Sequence, residues 1–347
     1  MTTNKQVTLK LIMLIALIGS ANMPKALASD KIDSLFTSLV NSKAFNGVVL
    51  VSSKGKIVYH NSFGYANLEQ KLTKEHQFNI GSIYKELPAI AIMQLQERGK
   101  LDINDKLSEH LPDLPSWGEK VSLKSLLQYT GGLPKISWGK HKIISNEALL
   151  KDLQYLDTLH YTPDSNYLYT NYSPFLLAKI VEKTSGEQFT SFVEHNITNP
   201  LGMTQSGFSS CFPYKETASK AIPFNDEFEE DRLPFTITSE LFLFTTTAKD
   251  LLKLANGLHS EELINKNSLE IISKTSELKK DDLQAPLGNV VLKNGKITYH
   301  AHHGSSGNFE ALMSIDKEED ISIILLTNRR KGNLYEITAQ IKEILNN

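Results

Sequence analysis

The stretch FNIGSIYKELPAIAIMQLQERGKL, Phe78 to Leu101, decides how the chain is read. It runs from a short strand end through a glycine turn into an amphipathic helix. Ile83, Leu87, Ile90, Ala91, Met93 and Leu95 fall close to helical spacing, and Gly99 supplies a stop. Ser82 stands where the helix is expected to open, with Lys85 three residues on. Residues three apart share a helix face, so the two side chains can meet in the first turn. A serine hydroxyl is a weak nucleophile until a neighbouring base takes its proton. Lysine becomes such a base when burial and the positive end of a helix lower its pKa. The same helix end aims backbone N–H groups at a developing oxyanion. Ser-x-x-Lys at a helix start is therefore a compact acyl-transfer device. An ordinary N-cap followed by a solvated lysine uses the same two residues. Four further matches occur, at Ser53/Lys56, Ser137/Lys140, Ser276/Lys279 and Ser314/Lys317. The first lies in an expected hairpin turn, and none opens a comparably apolar helix.

Strand patterns lie on both sides of this stretch. GVVLVSSKGKIVYHNSFG, residues 47–64, reads as two β-rich runs around Ser53-Lys54-Gly55. Near the other end, Val290 to Lys293 and Lys296 to Tyr299 flank Asn294-Gly295, a strong hairpin signal. Ala311 to Ile315 and Ile321 to Thr327 are two more strands. Helical spacing marks residues 31–40 and 334–345. Between the strand regions it recurs at 121–128, 146–156, 173–184, 189–197 and 247–258, while 206–240 is irregular. The expected fold is α+β: an antiparallel sheet built from both chain ends, flanked by terminal helices, with a mostly helical inserted region. The sheet part spans about residues 29–81 and 285–347, and the helical part about 82–284. Pro88 is expected to kink the helix that Ser82 opens.

The first 28 residues have a different character. Lys5 and Lys10 precede the apolar run LIMLIALIG, and Ala26-Leu27-Ala28 offers a small-residue site before Ser29. That order is a secretory signal, with cleavage expected after Ala28 and a periplasmic or extracellular product. An uncleaved anchor is the alternative, but the apolar core is short for a span. Residues 29–347 form the working domain. Removing Lys5, Lys10 and Lys25 takes the formal charge from −2 to −5. A mildly acidic chain carries no footprint for nucleic acid. Cys211 is the only cysteine, so no internal disulfide can form.

Three short elements carry the chemistry: Ser82-Ile83-Tyr84-Lys85, Tyr169-Thr170-Asn171 and His302-His303-Gly304. They open a helix, precede a helix and end a hairpin strand, in that order. Alone, Tyr169 is a packing residue among Tyr161, Tyr167 and Tyr172, and Asn171 a helix N-cap. His300, His302 and His303 raise a zinc site, but on a strand only His300 and His302 share a face. No Asp follows at ligand spacing, so neither metal nor cofactor is expected. The acidic run Asp226 to Asp231 reads as a solvated loop.

In order and setting, the three elements resemble the serine β-lactamase and DD-peptidase superfamily. The likeness is to the branch of class C β-lactamases, DD-carboxypeptidases and related esterases. FNGVVLV, GYANLE, RGKLDINDKL, LLQYTGGLP, PLGM and FTTTAKDL extend it over nearly the whole mature chain. The resemblance implies Ser82 as nucleophile, Lys85 as its activator and Tyr169 as proton relay. It implies substrate contacts from Asn171, His302, Gly304 and Ser305, with the Ser82 and Ser305 N–H groups as oxyanion hole. The implied partner is a small-molecule or peptide substrate, with a peptidoglycan stem peptide among the candidates. A catalytically silent binder of cell-wall peptides is the alternative function. Departures are Tyr84 between Ser and Lys, Tyr129 and Gly131 in LLQYTGGL, Asn308 before Phe309, and His302 where many relatives carry lysine. A neutral imidazole holds a substrate carboxylate less well than a permanent cation.

Overall fold

Six strands form one antiparallel sheet: β1 (Gly47–Ser53), β2 (Lys56–Phe63), β3 (Asn289–Lys293), β4 (Lys296–Ser306), β5 (Phe309–Asp316) and β6 (Ile321–Thr327). Their order is β2-β1-β6-β5-β4-β3, so the N-terminal hairpin is joined to the C-terminal meander through β1 and β6. Val48 pairs with Leu326 and Leu50 with Ile324 along that seam. In this computed structural model residues 25–347 are described, apart from 216, 217 and 232. The expected signal segment thus lies largely outside the described residues.

Both hairpins turn on two successive residues with positive φ, Lys54-Gly55 and Asn294-Gly295. Such turns match the twist of the strands they join. Five helices cover the sheet or frame the site: α1 (Lys25–Asn41), α2 (Glu86–Glu97), α3 (Tyr172–Ser185), α4 (Ala248–His259) and α5 (Leu334–Asn346). Helices α1 and α5 cover one sheet face, where Ile32, Phe36, Ile337 and Ile341 pack on Val49, Val51, Leu312, Ile323 and Leu325. The inserted region covers the other face, meeting Val48, Leu50, Ala311, Met313, Ile324 and Leu326. Successive residues of a strand point to opposite faces, so one run such as VVLV feeds two cores. That is why these strands read as continuous apolar runs rather than alternating ones. A fully buried side chain such as Phe36 stabilises the fold by about 2 kcal/mol relative to exposure.

The α+β expectation is met, and the differences are local. The helix after Gly81 does not begin as an α-helix. Residues Gly81–Lys85 form a tighter 3₁₀ turn, and α2 starts at Glu86. Pro88 is therefore the third residue of α2, where its missing N–H has no intrahelical partner to lose. It ends no helix and α2 runs on to Glu97. A helix at Lys266–Ser273, capped by Asn265, has no counterpart in the sequence-based reading. Strand β4 extends beyond Tyr299 to Ser306, which carries its far end into the site.

Candidate active site

The Gly81–Lys85 turn is wedged between β4 and the inserted helices. Asn79 pins it: the Gly81 N–H donates to Asn79 Oδ1 at 2.9 Å, and Asn79 Nδ2 donates to the Phe242 carbonyl at 3.0 Å. On the strand side the approach is backbone to backbone. A Cβ on Gly304 would stand 2.0 Å from the Ile80 carbonyl and 2.7 Å from the Ser82 nitrogen. A Cβ on Gly81, where φ is +51°, would stand 2.2 Å from the Ser305 nitrogen. Only glycine at both positions lets the Ser82 and Ser305 amides sit side by side.

Lys85 donates from Nζ to Ser82 Oγ at 2.9 Å. Its side chain is buried, and Nζ lies 4.8 Å from the ring centres of both Tyr84 and Tyr169. Those rings favour the ammonium by cation–π attraction of roughly 1 kcal/mol each. Burial outweighs them and pushes the Lys85 amine down to about 7. Tyr169 engages Ser82 through its hydroxyl, while burial pushes its own pKa up to about 12. Tyr169 thus stays protonated at neutral pH and can pass a proton without resting as a phenolate. Its ring packs 4.7 Å from that of Tyr129.

Asn171 occupies the N-cap position of α3 but makes no side-chain cap bond. Its Oδ1 instead accepts from the Tyr84 hydroxyl at 3.4 Å. Ser82, Tyr84, Lys85, Asn171 and Ser305 line a cavity of about 270 Å³. Ser306 also lines it, and the rest of the wall is mostly apolar: Trp138, Leu233, Phe235, Ile237 and Phe242. Trp138 and Tyr84 both stand edge-on to Phe242.

His302 does not line this cavity. Its Nδ1 donates to Glu86 Oε1 at 2.7 Å, and both residues are buried. Strand geometry gives the reason: position 302 shares a face with Gly304, and a ring at that depth meets the start of α2. His303 points the other way, to Glu310 at 2.8 Å. Cys211 is buried, its Sγ meets the Pro213 carbonyl, and it does not line this cavity. The acidic run is only partly solvated: Asp231 accepts from Asn308 Nδ2 at 3.0 Å. Asn79, Glu86, Trp138 and Phe242 were not legible as site residues. Glu86 left one trace, an acidic residue directly before the apolar run Leu87 to Met93.

A sheet from both chain ends, an inserted helical region and a Ser-Lys pair at their junction define the β-lactamase and penicillin-binding-protein class of serine hydrolase folds. Residues 32–345 match the Beta-lactamase family, and the chain belongs to it. It is 28% identical over 344 residues to Penicillin-binding protein 4* of Bacillus subtilis, covering 88% of this chain and 73% of that one. The crystal structure of a penicillin binding protein from Bacillus halodurans superposes with a TM-score of 0.76 at 23% identity, covering 89% and 98% of the two chains. A class C beta-lactamase mutant does so at 0.74 and 18%, covering 94% and 98%. At those identities the structures establish the fold.

Proposed function

We propose that the protein is an exported serine hydrolase that works through an acyl-enzyme at Ser82. The observation that carries this is the 2.9 Å bond between Ser82 Oγ and a buried Lys85 that has no carboxylate partner. Neutral Lys85 takes the Oγ proton as Oγ bonds to the substrate carbonyl carbon. The oxyanion rests on the Ser82 and Ser305 N–H groups. The proton then passes from Lys85, with Tyr169 beside it, to the leaving alcohol or amine as the carbonyl re-forms. Water attacks the ester at Ser82 by the same path, releasing a carboxylic acid and restoring the hydroxyl.

The cavity favours a neutral, apolar acyl group. Lys85 is the only cation among the described residues that line it, and Lys85 is committed to Ser82. His302, tied to Glu86, supplies no cation for a terminal carboxylate. Among the described residues, the lining therefore suits a small ester or amide better than a D-Ala–D-Ala stem peptide or a β-lactam. The order of residues 1–28 supports export. Among the described residues no helix is long and apolar enough to cross a membrane.

The test is intact mass after exposure to a fluorophosphonate, followed by kcat/KM for short-chain p-nitrophenyl esters, a D-Ala–D-Ala peptide and a cephalosporin. One adduct, absent in Ser82→Ala, and a preference for the esters are expected. No adduct would leave a silent binding relative. A preference for the carboxylate-bearing substrates would overturn the assignment of substrate class.

A further inference from the structure

Glu86 is a carboxylate with no exposure to solvent, one residue beyond Lys85. Two imidazoles reach it from one face of β4. His302 Nδ1 is 2.7 Å from Oε1 and His300 Nε2 is 3.3 Å from the same oxygen. His300 Nε2 also lies 2.9 Å from the Leu287 carbonyl, and His300 Nδ1 lies 3.0 Å from His259 Nε2 on α4. A carbonyl oxygen only accepts, so His300 carries its proton on Nε2. Its Nδ1 is then free to accept from His259. Glu86, acceptor only when ionised, places the His302 proton on Nδ1 in the same way. The His302 Nε2 makes no hydrogen bond among the described residues.

We propose that Glu86 is a positioning residue for the reaction at Ser82, holding His302 as a neutral imidazole with its proton on Nδ1 and a bare Nε2. The role rests on the proposed serine hydrolase function. Stability alone does not account for Glu86. Burying a carboxylate costs several kcal/mol, and apolar replacements of buried ionic groups are often neutral or stabilising. Its placement does account for it. The groups facing Glu86 are Lys85 beside it in the chain, His300 and His302 from β4, and His259 behind His300. Burial alone would raise the Glu86 pKa, but the two imidazoles outweigh it and hold the carboxyl down to about 2. Burial keeps His302 below its usual value against the pull of Glu86, and the nearby Lys85 charge adds to that. The pair therefore leaves an acceptor, rather than a second ammonium, within electrostatic reach of Lys85. Lys85 remains the one group there that exchanges a proton near neutral pH.

The same three side chains bring their ligand atoms within 4.8 Å of one another, as a zinc site would. Zinc needs the His300 Nε2 lone pair, and that nitrogen faces the Leu287 carbonyl as a donor. The contacts fit a hydrogen-bonded chain better than a ligand set.

The experiment uses the full chain, wild type and Glu86→Gln, which keeps shape and removes charge. Imidazole ¹⁵N NMR, assigned with His302→Gln, reads the tautomer between pH 6 and 8. Fluorophosphonate and ester kinetics read the rate and its pH profile, and elemental analysis after incubation with zinc reads metal. The wild type should show neutral His302 with Nδ1–H and no bound metal. Glu86→Gln should lose the fixed tautomer and acylate about tenfold more slowly at similar KM. Its acidic limb should stay near 7, because burial alone sets the Lys85 pKa. His302 as a cation or as the Nε2–H tautomer would overturn the proposal, as would one zinc per chain. A Glu86→Gln rate within twofold of wild type, with the His302 tautomer unchanged, would reduce Glu86 to packing. If Glu86→Gln does not fold, the wild-type tautomer and metal content still decide between these. A wild type without a Ser82 adduct would remove the reaction and the positioning role together, leaving the tautomer result to stand for the pair alone.

Discussion

Lys85 and Glu86 are neighbours in the chain, both buried and both ionisable, and the fold treats them in opposite ways. Glu86 is given two imidazoles, each with a hydrogen to offer, and is held as an inert anion. Lys85 is given a hydroxyl and two aromatic faces but no counter-charge. Burial is the largest influence on each, and the partners decide the outcome. The paired group moves away from neutral pH, to about 2, and the unpaired one moves toward it, to about 7. A buried carboxylate that is hydrogen-bonded stays ionised, and a buried ammonium without a counter-charge titrates near neutral pH.

The comparison can be broken at several points. Lys85→Met removes the base while keeping the volume. Acylation of Ser82 should fall about 10²–10⁴-fold, with the acidic limb gone from the rate profile. Stopped-flow acylation by an activated ester measures both. A rate within tenfold of wild type would mean that another group takes the proton. Gly304→Ala drives a methyl into the Ile80 carbonyl and the Ser82 amide. Separating the two amides should cost about 10²-fold in kcat, with a smaller change in thermal stability. If kcat is unchanged, the Ser82 and Ser305 amides do not act as a pair. Far from both, Phe36→Ala opens a cavity under α1 and should cost about 3–5 kcal/mol of stability. Turnover per folded molecule should stay at the wild-type level. Chemical denaturation and active-site titration together check this, and a fall in turnover would tie the α1–α5 face to the site.

The sheet was legible because its strands are long, rich in β-branched residues and bounded by turn pairs such as Asn294-Gly295. The middle of the chain was less so. Tight turns such as Gly81–Lys85 have no period of their own, and the helix at Lys266–Ser273 is too short for its spacing to stand out. Ser82, Lys85, Tyr169 and Asn171 were picked out through motif order, and the structure brings these four side chains close together. His302 was placed at the substrate by analogy with a longer lysine. Nothing in a linear sequence shows that residue 86 would reach residue 302, because that contact belongs to the docking of α2 on β4. Trp138 and Phe242 were hidden for the same reason: an aromatic residue that lines a cleft looks like one that fills a core.

The most direct measurement is the second-order rate of Ser82 acylation by a neutral fluorophosphonate from pH 5 to 10. A neutral Lys85 is required, so the rate should rise through an acidic limb centred near 7 and then level. A limb near the ordinary lysine value, or a flat profile, would contradict the account: in neither case would Lys85 be the uncompensated base beside Ser82.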